Sequence, residues 1–318
     1  MIWQKIKPYL NLIRFQNQIG TIFLFIPCFY GMFYSNIVSI YTALLFFVSA
    51  FFARSCGCIL NDIADKKIDK NLPTTSHRVL ASETLSTKQA LFFFAILVCI
   101  SLPLLFFYSN YIFVPLIIIG FVVILYPYTK RFFAIPQLFL GLVYASGFLI
   151  STVHVKNIPI WQLPIDAFYV YFSLVLWVIF YDTIYAKRDF KHDQTLKINS
   201  SAVFFAKEYN IIFPMLFLFF CVSVFCVNLY SWFIILVTII ISFAINKKLT
   251  KQFEEAKINN ILFFLCAISN IILLSNLENE GMLAVFFAMI LQIVSVFLPP
   301  LKGFKLNAWC ILFTPWAF

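Results

Sequence analysis

Apolar stretches of about 15–23 residues, parted by polar loops, run along nearly the whole of this chain and leave it few ways to fold. About 20 residues at 1.5 Å each cross roughly 30 Å of hydrocarbon. Hydrocarbon offers no hydrogen bonds, so a spanning segment must satisfy its own backbone as a helix or within a closed barrel. The stretches lack the strict alternation of barrel strands. They predict an all-α polytopic membrane protein. Composition agrees: 63% of residues are hydrophobic, 42 are Phe and only 11% are charged. A soluble domain carries about 25% charged residues, so this chain has too little polar surface to cover a water-soluble globule.

The most apolar windows predict about nine transmembrane helices. They centre on Ile19–Tyr34, Val38–Leu60, Ala90–Tyr108, Ile112–Tyr128, Gln137–Val153, Ala167–Ala186, Ile211–Tyr230, Trp232–Asn246 and Asn259–Ser275, with Met282–Leu298 as a candidate extra C-terminal helix. Residues 1–275 form the helical domain on this reading, and 276–318 a C-terminal extension. The start, Met1–Gln18, shows no cleavable signal or transit pattern and reads as a cytoplasmic arm. With that arm inside and Met282–Leu298 counted as a further span, alternation puts every basic residue except Arg54 and Lys156 on the inner side. That asymmetry follows the positive-inside rule. The net charge of +10 is therefore a topology signal, and no nucleic-acid partner is needed to explain it.

Two inner loops carry dense aspartates. The first runs Asn61-Asp62-Ile63-Ala64-Asp65-Lys66-Lys67-Ile68-Asp69; the second begins at Tyr181-Asp182-Thr183 and reaches Asp189 and Asp193. If the second span continues as a helix beyond the bilayer, Asp62, Asp65 and Asp69 share one face, as do Asp182, Asp189 and Asp193. Like charges about 4 Å apart repel by about 4 kcal/mol at an effective dielectric near 20. Such stripes ask for cations, and Mg2+, a hard ion held by one or two carboxylates, water and phosphate oxygens, suits them. Two such faces could clamp a diphosphate and stabilise its departure. Four spans separate the two motifs, which predicts two four-helix halves plus a ninth helix, with the second elements of the halves meeting around a cavity.

Arg54 lies inside a span, where a charge normally faces a cavity or a partner. It shares an overlapping face with Cys58, Asn61 and Asp65, so a substrate carboxylate or phosphate is a fitting partner. Lys130 and Arg131, close to Tyr126, form a basic pair suited to phosphate oxygens. His77, His154 and His192 show no metal-ligand spacing, and the eight cysteines suggest no disulfide framework.

Asn61-Asp62-x-x-Asp65-x-x-x-Asp69 resembles the first acidic motif of the UbiA-type intramembrane aromatic prenyltransferases. Tyr181-Asp182-Thr183-x-Tyr185-Ala186 with Asp189-x-x-x-Asp193 resembles their second, in the form found in 4-hydroxybenzoate polyprenyltransferases. Ile19-Gly20-Thr21, Gly57-Cys58, Tyr126-Pro127 and Pro136-Gln137-x-x-Leu140-Gly141 extend the likeness over roughly residues 14–275. The resemblance implies Mg2+ on Asn61, Asp62, Asp65, Asp69, Asp189 and Asp193, with Asp182 nearby. It also implies an aromatic acid placed by Arg54, and a polyprenyl diphosphate met by Arg78, Tyr126 and Lys130. The expected reaction prenylates 4-hydroxybenzoate ortho to its hydroxyl, in a bacterial inner membrane with the site facing the cytoplasm and lipid around the fold.

The chain departs from the family pattern at Asn17 and Gln18 (usually a basic residue and Pro), at Thr74 (Arg), at Val79 (Pro), and at Thr195, Lys197 and Asn199 in the string after the second motif. These changes spare the acidic residues. Three rival readings are the same fold acting on another acceptor (haem, naphthoate, homogentisate or a lipid), a membrane transporter, and an inactive descendant that binds Mg2+ and diphosphate without turnover. A transporter would carry ionisable residues near the bilayer midplane between inverted repeats, whereas these aspartates lie at one surface.

Overall fold

The computed structural model describes residues 2–71, 75–186, 190–196 and 198–205. The predicted spans beyond residue 205, the C-terminal extension, Thr74, Asp189 and Lys197 lie outside the described residues. Every regular element among the described residues is helical. The chain divides into two compact units: the first comprises Met1–Phe133 and Ser146–Trp161, and the second comprises Ala134–Ala145 and resumes at Gln162.

In the first unit α1 (Ile2–Leu12) leads to α2 (Ile19–Tyr34) and then to α3 (Ile40–Asp69). At 30 residues α3 is about 45 Å long. It outreaches a hydrocarbon layer of about 30 Å, so its polar last turns emerge from the bilayer as a helix. α4 (Thr87–Ser101) starts at a capping box: Ser86 Oγ accepts from the Gln89 N–H, and Gln89 Oε1 accepts from the Ser86 N–H. The predicted continuous span over Ala90–Tyr108 changes character at Pro103, where a 3-10 turn, Leu102–Phe107, replaces the α-helix. Proline has no N–H to give and its ring crowds the carbonyl four residues back. α5 (Phe113–Thr129) follows. α6 (Gln137–Lys156) starts in the second unit and finishes in the first. The second unit continues with α7 (Ile165–Ala186), α8 (Phe190–Leu196) and α9 (Ser201–Phe204).

Four of these stretches are long and apolar enough to cross a membrane: Ile40–Asp69, Thr87–Phe107, Asn110–Thr129 and Gln137–Lys156. Large side chains such as Phe92, Phe106 and Phe121 point outward from them. On water such a surface would be untenable; in lipid it is the expected exterior. The protein is an integral membrane protein.

The expected N-terminal arm is in part a helix. Leu12 and Ile13 are buried with Ile59, Leu80, Leu85, Ala90 and Leu97, and Tyr9 packs edge-on against Phe93. α1 ends in a Schellman motif, with the Phe15 N–H bonded to Leu10 O and the Arg14 N–H to Asn11 O. Arg14 itself takes the left-handed position, at φ 57°. Away from the aspartates, His154 Nδ1 accepts the Ser109 N–H at 3.1 Å and its ring meets Phe46 and Tyr108. These contacts are structural ones.

α2 and α6 approach closely at Gly31. A Cβ there would stand 2.5 Å from the Phe148 carbonyl oxygen and 2.8 Å from Thr152 Oγ1. Small residues allow such contact between membrane helices. Gly31→Val is expected to destabilise the fold by about 1–3 kcal/mol, read as a lowered unfolding midpoint in detergent. An unchanged midpoint would refute the close crossing.

Candidate active site

The end of α3 carries its three aspartates buried: Asp62 is 1% exposed, Asp65 and Asp69 4% each. Burying a carboxylate without a partner is costly, and each here has a cationic one. Arg14 Nη2 donates to Asp62 Oδ1 at 2.6 Å. Arg78 Nη1 donates to Asp69 Oδ2 at 2.8 Å and stands 3.4 Å from Asp62 Oδ1. One guanidinium thus bridges aspartates two helical turns apart, which is the shared face that helical spacing predicts. Lys130, the C-cap of α5, donates from Nζ to Asp65 Oδ2 at 2.8 Å. Arg131 Nη2 donates to the Ala64 carbonyl at 2.6 Å, and its guanidinium lies over the Tyr128 ring. Burial works against the charge on Arg14, but the hydrogen bond and charge of Asp62 outweigh it and raise the guanidinium pKa above its ordinary value.

Arg14 counted in the sequence only as one basic residue of an arm. Its left-handed backbone turns the side chain so that it also donates to Asn11 O and Leu12 O. A non-glycine residue pays about 1–2 kcal/mol for that conformation, and such strain gathers at functional positions. The signal in the sequence was the absence of Gly or Asn where α1 must turn.

Two carboxylate oxygens in this cluster, Asp62 Oδ2 and Asp65 Oδ1, are buried and have no hydrogen-bond partner among the described residues. They sit three residues apart on one helix, are hard oxygen donors, and belong to carboxylates that each have only one oxygen engaged among the described residues. These features fit Mg2+. Asp69 is held instead by Arg78, and Asn61 is half-buried beside Asp62. Among the described residues no three acidic, histidine or cysteine side chains form a closed metal cage, whereas Mg2+ commonly keeps places for water and phosphate oxygen.

Arg54 points its guanidinium at the first turn of α2. A Cβ on Gly20 would collide with it, so only glycine leaves that space. Its Nη1 donates to Cys58 Sγ at 2.6 Å, while Nε is buried without a hydrogen-bond partner. Among the described residues Arg54 has no acidic partner. Tyr126, half-buried on α5, accepts through its carbonyl from Thr129 Oγ1.

The second acidic motif belongs to the second unit, with Asp182 half-buried near the end of α7 and Asp193 half-buried on α8. Beside Asp182, Thr183 Oγ1 lies 2.6 Å from Ser201 Oγ, and the Ser201 N–H donates to Gln137 Oε1 at 2.9 Å. All three residues are buried. They tie α7, α9 and the start of α6 together, a polar link between segments too distant in sequence to be read beforehand.

Comparison with known proteins identifies the family. The family model of the UbiA prenyltransferase family matches residues 24–268, and the chain belongs to that family. It is a prenyltransferase held in a membrane. The 4-hydroxybenzoate octaprenyltransferase of Vesicomyosocius okutanii subsp. Calyptogena okutanii (strain HA) is 35% identical over 207 residues, which cover 64% of this chain and 74% of that one. The enzyme of the same name from Francisella tularensis subsp. novicida (strain U112) is 34% identical, covering 64% and 72%. Among solved structures, a UbiA homolog from Aeropyrum pernix K1 shares the fold with a TM-score of 0.60 at 20% identity, covering 80% of this chain and 94% of that one. A UbiA homolog from Archaeoglobus fulgidus bound to GPP and Mg2+ shares it with a TM-score of 0.55 at 17% identity, covering 84% and 96%.

Arg78→Ala leaves Asp69 with no cationic partner among the described residues and weakens the screening of Asp62. Removing one member of a buried ion pair costs about 3–5 kcal/mol. The unfolding midpoint in detergent should fall accordingly, and Arg78→Lys should recover only part, since an ammonium lacks the planar fork.

Proposed function

We propose that the chain transfers a polyprenyl group from polyprenyl diphosphate to the ring carbon ortho to the hydroxyl of 4-hydroxybenzoate, a Mg2+-dependent step toward ubiquinone. The observation that carries this reading is the pair of unpartnered carboxylate oxygens, Asp62 Oδ2 and Asp65 Oδ1, set among Arg14, Arg78 and Lys130. The acceptor follows from the names of the 34–35% identical relatives and from the Tyr181-Asp182-Thr183-x-Tyr185-Ala186 string.

Asp62 and Asp65 would hold Mg2+ through those oxygens, and Asn61, Asp69, Asp189 and Asp193 are assigned to the metal sites by resemblance. When bound, Mg2+ supplies positive charge to the diphosphate oxygens. Arg78, Lys130 and Arg131, with Tyr126, bind the diphosphate and stabilise its charge as the allylic C–O bond breaks and its electron pair leaves with oxygen. Aromatic side chains shield the allylic cation from water. The ring carbon gives its π pair to the new C–C bond, and the ring proton departs. Arg54 takes the carboxylate of the aromatic acid, consistent with a buried Nε that has no partner. Asp182 is assigned to substrate positioning. A bacterial inner membrane with the acidic residues toward the cytoplasm fits the distribution of basic residues.

The test is product formation by the full chain in lipid nanodiscs, given a polyprenyl diphosphate and 4-hydroxybenzoate with and without Mg2+. Product is expected only with Mg2+, and Asp65→Asn should cut turnover about 100- to 1,000-fold. Product with another aromatic or lipid acceptor but none with 4-hydroxybenzoate would overturn the acceptor assignment. Undiminished turnover in Asp65→Asn would overturn the assignment of the site.

A further inference from the structure

The first half of α1 is left uncovered by the described residues. Its last turn is packed into the first unit through Leu12 and Tyr9, yet Trp3, Gln4, Lys5, Ile6 and Lys7 are all exposed, Trp3 at 63%. Trp3 and Ile6 are three residues apart, so they share a face. Lys7 flanks that face, and Lys5 lies across the helix from it. Arg14, directly after α1, is bonded to Asp62, so the helix sits by the end of α3 that emerges from the bilayer. Tyr9 rests on Phe93 of α4, whose neighbours Leu91 and Phe92 are exposed on a membrane-crossing helix. α1 therefore packs against a helix that carries outward-facing apolar side chains.

We propose that α1 is an interfacial helix seated on the bilayer surface beside the acidic site. Trp3 and Ile6 sink to the boundary of headgroups and acyl chains, where tryptophan is favoured. Lys7 reaches anionic lipid phosphates with its stem laid along the apolar surface, and Lys5, on the polar side of the helix, adds to the attraction of an anionic surface. The bilayer is favoured over a second copy of the chain because two lysines would face their own duplicates across a self-contact, while an anionic lipid surface complements them. Arg14 bonds both to the carbonyls of the last turn of α1 and to Asp62, so the seat also steadies one wall of the acidic site.

The experiment uses the full chain in nanodiscs of phosphatidylcholine alone and with phosphatidylglycerol, and none of its readouts requires catalysis. Brominated acyl chains should quench Trp3, read as the difference between the chain and its Trp3→Phe variant. Amide exchange across residues 2–12 should slow when phosphatidylglycerol is added. Each lysine is worth roughly fivefold near an anionic surface, so that lipid dependence should be lost in Lys5→Gln/Lys7→Gln. No quenching difference, or the same exchange in both lipids, overturns the proposal. Slow exchange in detergent that depends on protein concentration, with α1 cross-linking between copies, overturns it in favour of a self-contact.

Discussion

Carboxylates buried on adjacent turns of one helix repel each other by about 3 kcal/mol per pair at the roughly 5.5 Å spacing of i, i+3 neighbours and an effective dielectric near 20. Their desolvation adds to that cost. The end of α3 meets the penalty by drawing cations from three separate parts of the first unit: Arg14 after α1, Arg78 in the loop before α4, and Lys130 at the end of α5. The path of each segment follows from that need. The loop carrying Arg78 buries Val79 and Leu80 against Leu12 and Ile59, so one short stretch supplies both the charge and the apolar packing that keeps the charge in place.

Buried ion pairs rarely stabilise a fold more than well-packed apolar residues would. Their presence here is better explained by what they leave open. Each pairing engages one oxygen of Asp62 and one of Asp65, and the other oxygen of each stays unpartnered among the described residues. An arrangement built only for stability would have closed both. The left-handed backbone at Arg14 fits the same view, since glycine there would ease the turn and forfeit the guanidinium.

Much of this was legible because helical membrane proteins expose their logic in one dimension. Ile19–Tyr34 is a helix to the residue, and the prediction that the second span continues through Asp69 rests on periodicity alone. The common face of Asp62 and Asp69 is realised in one arginine that reaches both. What escaped has a shared cause. Arg14 meets Asp62 across 48 positions and only because of a positive φ. Ser201 meets Thr183 and Gln137 through folding of the second unit. Hydropathy reports how deep a segment lies, not which distant side chain it meets. The 3-10 turn at Leu102–Phe107 was legible from Pro103, but an apolar window averages such a break away.

Arg54 differs in kind from the other basic residues around α3. Arg14, Arg78 and Lys130 each arrive at a carboxylate, whereas Arg54 hydrogen-bonds to a thiol and has no acidic partner among the described residues. A thiol does not neutralise a guanidinium, and a charge within a span is tolerated chiefly where it faces a cavity or a partner. Gly20 sharpens the point, because any larger residue would push the guanidinium away from the first turn of α2. A buried Nε with an unused donor, held in place by the absence of a side chain opposite, is poorly explained as a structural pair. It accords with the proposal that Arg54 takes the carboxylate of the aromatic acid.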